Sequence, residues 1–163
     1  LAMQIAQEMG ILNQGDLVVQ TAGTLTGISG STDLIKVGLV RKIVSRGISI
    51  GEIGVTGKAR IIKNNLDMSL ICPGEIIFVP EELMKNIPLS KNIAGIVTNQ
   101  NVDDVYALFN KNNLKISTIC NLENLHNNQI SNGDLITLQL NEGVIYMGQI
   151  EDDEDAIDKY KYV

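Results

Sequence analysis

Between two apolar runs, Leu17–Val19 and Leu34–Val37, the chain gathers Gly27, Ser29, Gly30, Ser31 and Thr32. Glycines and small hydroxyl residues at a bend bring backbone N–H groups and hydroxyls together. That is the raw material of an anion-binding nest, and equally of an ordinary wide turn between strands. Asp33 follows at once and adds a negative charge that opposes an anion. Elsewhere the chemistry-bearing residues are scattered. His126, the single histidine, stands in a polar stretch after Glu123-Asn124, and nothing beside it has metal-ligand spacing. Cys72 and Cys120 are isolated thiols without C-x-x-C spacing, expected to serve as small hydrophobes in a reducing cytosol. There is no Ser-His-Asp or Cys-His set, no recognisable pair of carboxylates and no P-loop.

The elements that must position these residues fall into two modules. Ala2–Met9 has helical apolar spacing and a stop at Gly10, and Leu17–Val37 reads as strand, turn, strand. This α-β-β piece has too little apolar surface to fold alone, and its hairpin would need further strands beside it. Residue 1 is Leu within a helical pattern, so the chain is expected to continue upstream. Residues 41–53 read as a strand-like connector. From Gly54 onward, β-branched runs recur at Ala59–Ile62, Glu75–Val79, Ile93–Thr98, Ile116–Cys120, Leu135–Leu140 and Val144–Met147. Helical segments fit at Glu81–Asn86 and Val102–Asn112. Asn141-Glu142-Gly143 signals a closing hairpin, and Asn132-Gly133-Asp134 launches its first strand with the device already used at Gln14-Gly15-Asp16. The second module is therefore expected to be a compact α/β unit with a mixed sheet.

Composition narrows the function. At 163 residues, 44% hydrophobic and 20% charged, the chain fits a folded globular protein of one domain, or one domain and part of another. A net charge of −6 and an aromatic share of 4% disfavour nucleic acid, which calls for clustered cations and stacking platforms. Much of the acidity lies in Glu151–Asp155 and Asp158, a solvated tail over 149–163. No apolar run approaches the roughly 18 residues that span a bilayer, and no signal peptide is visible, so no membrane partner and a cytoplasmic location are expected.

Two resemblances sharpen this reading. Gly15–Gly23, Gly27–Thr32 and Leu34–Val37 resemble the last two strands of the C-terminal domain of pyruvate kinases. There a "GD-apolar-apolar-x-T-A-G" strand leads through a "G-x-S-G-x-T" turn into a strand ending Lys-Val. Residues 54–148 resemble the swivelling phosphohistidine domain of phosphoenolpyruvate-utilising enzymes. The landmarks are Gly57-Lys58-Ala59-Arg60, Pro73-Gly74-Glu75-Ile76-Ile77, Ala94-Gly95-Ile96-Val97-Thr98, Glu123-Asn124, and Asn132-Gly133-Asp134 through Gly143. In that family the strand ending at the Thr leads into a Gly-Gly turn and a Ser-His pair opening a helix. Here Asn101 and Val102 stand for the glycines, Val105 for the Ser and Tyr106 for the phosphate-carrying His.

The replacement removes the chemistry. A carrier needs a neutral imidazole nitrogen, whereas a phenol is a poor nucleophile at neutral pH and forms a stable ester. Asn101 reads as an N-cap, with Asp103 and Asp104 in the first turn to complement the helix dipole and repel phosphate. Val102, Val105, Tyr106 and Phe109 share helical spacing, so Tyr106 is expected to be a packing residue.

Together the resemblances imply an α/β chain with four parts. Residues 1–40 are the end of a pyruvate kinase C-terminal effector domain, and 41–53 are a connector. Residues 54–148 are a phosphoenolpyruvate-utilising mobile-like domain without its reactive His, and 149–163 are the acidic tail. The implied parent enzyme transfers a phosphoryl group from phosphoenolpyruvate to ADP, giving pyruvate and ATP. It uses Mg²⁺ and K⁺ held in a (β/α)₈ barrel that is not in this sequence. The segment itself is implied to hold no cofactor and to be silent. Gly27, Ser29, Gly30, Ser31 and Thr32 would supply part of a site for a phosphorylated effector. The implied partners are the remainder of the enzyme chain and further copies in a homo-oligomer. Two other classes stay open: a phosphocarrier domain of a phosphoenolpyruvate synthase or dikinase, and a non-catalytic interaction module.

Overall fold

The computed structural model describes residues 2–23, 32–88, 92–125 and 129–150. They form two units dividing after Lys42.

In the first unit, helix α1 (Ala2–Glu8) precedes an antiparallel pair, β1 (Leu17–Gly23) and β2 (Thr32–Leu39). The turn that opens β1 is closed by its own acid. Gly15 takes φ +91°, and Asp16 Oδ2 accepts from Asn13 N at 2.7 Å. Gly15 N and Val40 O bond at 2.9 Å, as do Val40 N and Asp16 O, extending the pairing beyond β2. Helix α1 crosses one face of the pair: a β-carbon at Gly38 would lie 3.2 Å from Met3 Sδ. Leu17, Val19 and Ile35 share the other face by register and are exposed.

The second unit is an eight-stranded mixed sheet ordered β3-β10-β9-β5-β6-β7-β8-β4. Its strands are β3 (Ile43–Arg46), β4 (Ile48–Ile50), β5 (Val55–Ile61), β6 (Ile76–Phe78), β7 (Gly95–Val97), β8 (Ser117–Cys120), β9 (Leu135–Gln139) and β10 (Val144–Met147). Strands β5 to β8 run parallel and the other pairings are antiparallel. The two edge strands, β3 and β4, are consecutive in the chain and joined by Gly47 alone. One ribbon therefore serves both edges, and the sheet curls until they meet. Gly47 donates to Gly143 O at 2.9 Å, and a β-carbon there would lie 2.5 Å from Cys120 O. Only glycine fits. Residues 41–53 are thus more than the expected connector, since they supply two strands of this sheet.

Alternation along the strands splits the core in two. Ala59, Ile76, Phe78, Val97, Ile119, Ile136, Leu138 and Ile145 pack on the inner surface. Ile62, Ile77, Val79, Ile96 and Cys120 point outward. There they meet Met68 and Met84, from 3₁₀ segments at Asn65–Leu70 and Glu81–Asn86, and Val105 and Phe109 from helix α2 (Val102–Asn112). Parallel strands buried on both faces read as continuous apolar runs, which explains the Ile76–Val79 segment. Among the described residues, no helix is long and apolar enough to cross a membrane.

The glycine–acid turn that launches β9 repeats the one before β1. Gly133 has φ +89° and Ser131 N donates to Asp134 Oδ2 at 2.8 Å. A third copy precedes β6, where Gly74 has φ +80° and Cys72 N donates to Glu75 Oε2 at 2.8 Å.

Candidate functional site

The position where the resemblance places a phosphate-carrying His follows the β7–α2 connection. Val97 ends β7 in the core, and Thr98, fully buried, donates its N–H to Ile119 O at 3.1 Å. Thr98 Oγ1 then accepts from Gln100 N at 3.2 Å, and Gln100 O accepts from Asn121 N at 2.9 Å. Asn99 Oδ1 takes the N–H of Glu81 at 2.9 Å. The loop is therefore tied on both sides before the helix starts.

Asn101 is the N-cap, as its sequence position predicts. Its Oδ1 accepts from Asp104 N at 2.9 Å, and its Nδ2 donates to Asp104 Oδ2 at 2.6 Å. The amide a phosphate would need is thus occupied, and Asp103 and Asp104 add negative charge in the first turn. Tyr106 departs from expectation. Val105 and Phe109 are buried and Val102 packs partly beside them, but Tyr106 is 47% exposed. One helical step beyond Val105, its ring turns away from the core face. Its hydroxyl makes no hydrogen bond among the described residues.

Of the turn residues, Gly27, Ser29, Gly30 and Ser31 lie outside the described residues, as does His126. Thr32 opens β2 opposite Gly23, beside a register shift at Ala22/Gly23. Cys120 is buried as expected. Its Sγ lies 3.3 Å from Ile48 O, and burial pushes its pKa above the ordinary thiol value. Cys72 is exposed instead, on the turn before β6. No group of three or more His, Cys, Asp or Glu among the described residues could hold a metal ion.

Two features escaped the sequence reading. Arg60 and Glu75 form a two-point ion pair, Nε to Oε2 at 3.0 Å and Nη2 to Oε1 at 2.7 Å. Glu75 is buried, and its hydrogen bond is the main cause of a raised Arg60 pKa. The signal was present: Arg60 and Glu75 belong to two of the landmarks quoted above. The second feature is a cleft of about 620 Å³ lined by Ile43, Ser45, Arg46, Gly47, Asn121, Glu123 and Asn124. Only the fold brings these segments together.

No protein-family profile matches the chain. Curated relatives do. Pyruvate kinase 2 of Synechocystis is 36% identical over 149 residues, covering 91% of this chain and 25% of that protein. The pyruvate kinases of Staphylococcus saprophyticus and Geobacillus stearothermophilus are 30% and 29% identical, covering 90% and 91% of this chain and 25% of each relative. A C-terminal portion of a pyruvate kinase is supported. The chain spans about a quarter of the length of these pyruvate kinases. Among solved structures, Streptomyces coelicolor RraAS2 is 15% identical with a TM-score of 0.44, covering 74% of this chain and 78% of its own. The microcin C7 self-immunity protein MccF is 12% identical with a TM-score of 0.44, covering 90% of this chain and 55% of its own. Likeness at that level carries no argument.

Proposed function

We propose that the chain is the regulatory and architectural C-terminal portion of a pyruvate kinase and is catalytically silent by itself. The observation that carries this is the similarity to Pyruvate kinase 2 over 149 residues, a span longer than either unit. The parent enzyme would transfer a phosphoryl group from phosphoenolpyruvate to ADP in the cytoplasm, with Mg²⁺ and K⁺ held in a barrel elsewhere in its chain. Residues 27–32 would contribute amides and hydroxyls to a site for a phosphorylated effector, completed by upstream sequence.

In this reading the second unit is a phosphohistidine-like domain that has lost its carrier function. The parallel β5–β8 strands and helix α2 directly after β7 support the comparison. The Asn101 cap and the exposed Tyr106 support the loss. A helix start closed by its own side chain offers no cradle for an anion, and a phenol is a poor nucleophile toward phosphorus at neutral pH. The test is a coupled assay of the purified chain with phosphoenolpyruvate, ADP, Mg²⁺ and K⁺. The expected outcome is no pyruvate above background, and steady turnover would overturn the proposal. Acid-labile label on the chain, after incubation with labelled phosphoenolpyruvate and a phosphotransfer partner, would favour the carrier reading instead.

A further inference from the structure

We infer that Asn132 is a site of spontaneous modification, its side-chain amide hydrolysed to aspartate or isoaspartate whenever the launch of β9 lifts from β5. The chemistry belongs to Asn132-Gly133, the single Asn-Gly pair in the chain.

Water is the only co-reactant. The Gly133 backbone nitrogen loses its proton and attacks Asn132 Cγ. A new C–N bond closes a five-membered imide as the bond to the side-chain nitrogen breaks, and ammonia leaves with a proton. Water then opens the imide at one of its two carbonyls, giving aspartate or isoaspartate. Glycine favours the attack because no β-carbon crowds its nitrogen. Both residues are exposed, and even a β-carbon on Gly133 would meet nothing within 4 Å, so base and water have access.

In the closed turn, β5 engages both reacting groups. Gly133 N donates to Ala59 O at 2.8 Å, and Asn132 Oδ1 accepts from Ile61 N at 2.7 Å. A bonded N–H does not give its proton to solvent, and the side chain is held against β5. Attack needs the nitrogen and the carbonyl carbon free to align, so both bonds must open first. Ala59 and Ile61 stand on the same strand, either side of Arg60, and one local opening releases both.

The chain carries its own control. Gln14-Gly15-Asp16 builds the same turn, with Gly15 N on Val40 O at 2.9 Å and Asp16 closing it. Gln14 has one more methylene, so its ring would be six-membered and closes more slowly. Every other asparagine precedes a residue whose side chain crowds the attacking nitrogen. The product also matters. Aspartate keeps an acceptor for Ile61 N, whereas isoaspartate routes the backbone through the side chain and lengthens it by one atom. That displaces Gly133 from Ala59 O, so conversion to isoaspartate keeps the joint open.

The test is incubation of the full chain at mildly alkaline pH, folded and in urea above its unfolding midpoint. Peptide mass mapping locates the conversion, and an isoaspartate-specific methyltransferase identifies the product. The unfolded chain is expected to convert at Asn132 ahead of every other Asn and Gln. The folded chain should convert at the same residue at least about tenfold more slowly. Hydrogen exchange of the Gly133 amide in the folded chain should show the same slowing to within about threefold. Asp134→Ala removes the acceptor that closes the turn on Ser131 N. It should speed conversion of the folded chain about fivefold and leave the rate in urea unchanged. If that variant does not fold, the exchange comparison on the unaltered chain decides alone. Equal rates in the folded and unfolded chain would overturn the inference. So would earlier conversion of another residue in urea, or conversion of the folded chain much faster than exchange at Gly133 allows.

Discussion

Arg60 meets both carboxylate oxygens of Glu75, at 3.0 and 2.7 Å, where β5 and β6 run side by side. The same Glu75 closes the turn at Gly74 through Cys72 N, so one buried carboxylate serves a strand pair and a turn. Removing Arg60 takes the counter-charge from a buried carboxylate. Arg60→Met is expected to cost about 3 kcal/mol in urea denaturation. A loss below about 0.5 kcal/mol would show that the pair is incidental.

The glycine–acid turns show what could be read in advance. Gln14-Gly15-Asp16 and Asn132-Gly133-Asp134 carry their mechanism within four residues, and both turns close in the same way. Helix α2, its Asn101 cap and the β9–β10 hairpin were equally legible, because local spacing and turn chemistry decide them. The two strands in 41–53 were not. Their pairing with β10 and β8 depends on segments some 70 to 100 residues away. The cleft beside Arg46 was hidden for the same reason. Tyr106 misled because apolar spacing on a helix does not say where the buried stripe ends, and here it ends at Val105 and Phe109.

Gly47 joins the two edges of the sheet with no room for a side chain. Gly47→Ala would drive a β-carbon to 2.5 Å from Cys120 O. A destabilisation of about 2 kcal/mol or more is expected, read as a lower denaturation midpoint at unchanged slope. An unchanged midpoint would mean that the ribbon is not held there.

The α2 cap makes a smaller prediction. Asn101→Ala should cost about 1 kcal/mol, and Asn101→Ser should recover most of it. Equal stability of all three proteins would argue that the cap contributes nothing.

The two thiols should behave differently. Exposed Cys72 is expected to react with a disulfide reagent in the native protein, and buried Cys120 only on unfolding. Because burial raises the Cys120 pKa, the folded state holds the neutral thiol longer than the unfolded one. Its contribution is therefore complete below the unfolded thiol's pKa and is lost as pH rises through the higher folded value. Cys120→Ala should flatten the alkaline limb of the stability profile. An identical limb in the variant would contradict the assignment.

Tyr106→His puts the missing ring on an exposed position without reopening the capped helix start. Stability should change by no more than about 0.5 kcal/mol, and the chain should still take up no acid-labile phosphate. Efficient labelling of this single variant would show that only the imidazole had been missing.

As proposed, the chain is a non-catalytic part of a pyruvate kinase. The deciding assay is pyruvate formation from phosphoenolpyruvate and ADP by a pyruvate kinase polypeptide that includes this sequence, beside the isolated chain. Turnover is expected from the longer polypeptide and none from the chain alone. A longer protein that makes no pyruvate, or an isolated chain that does, would contradict it.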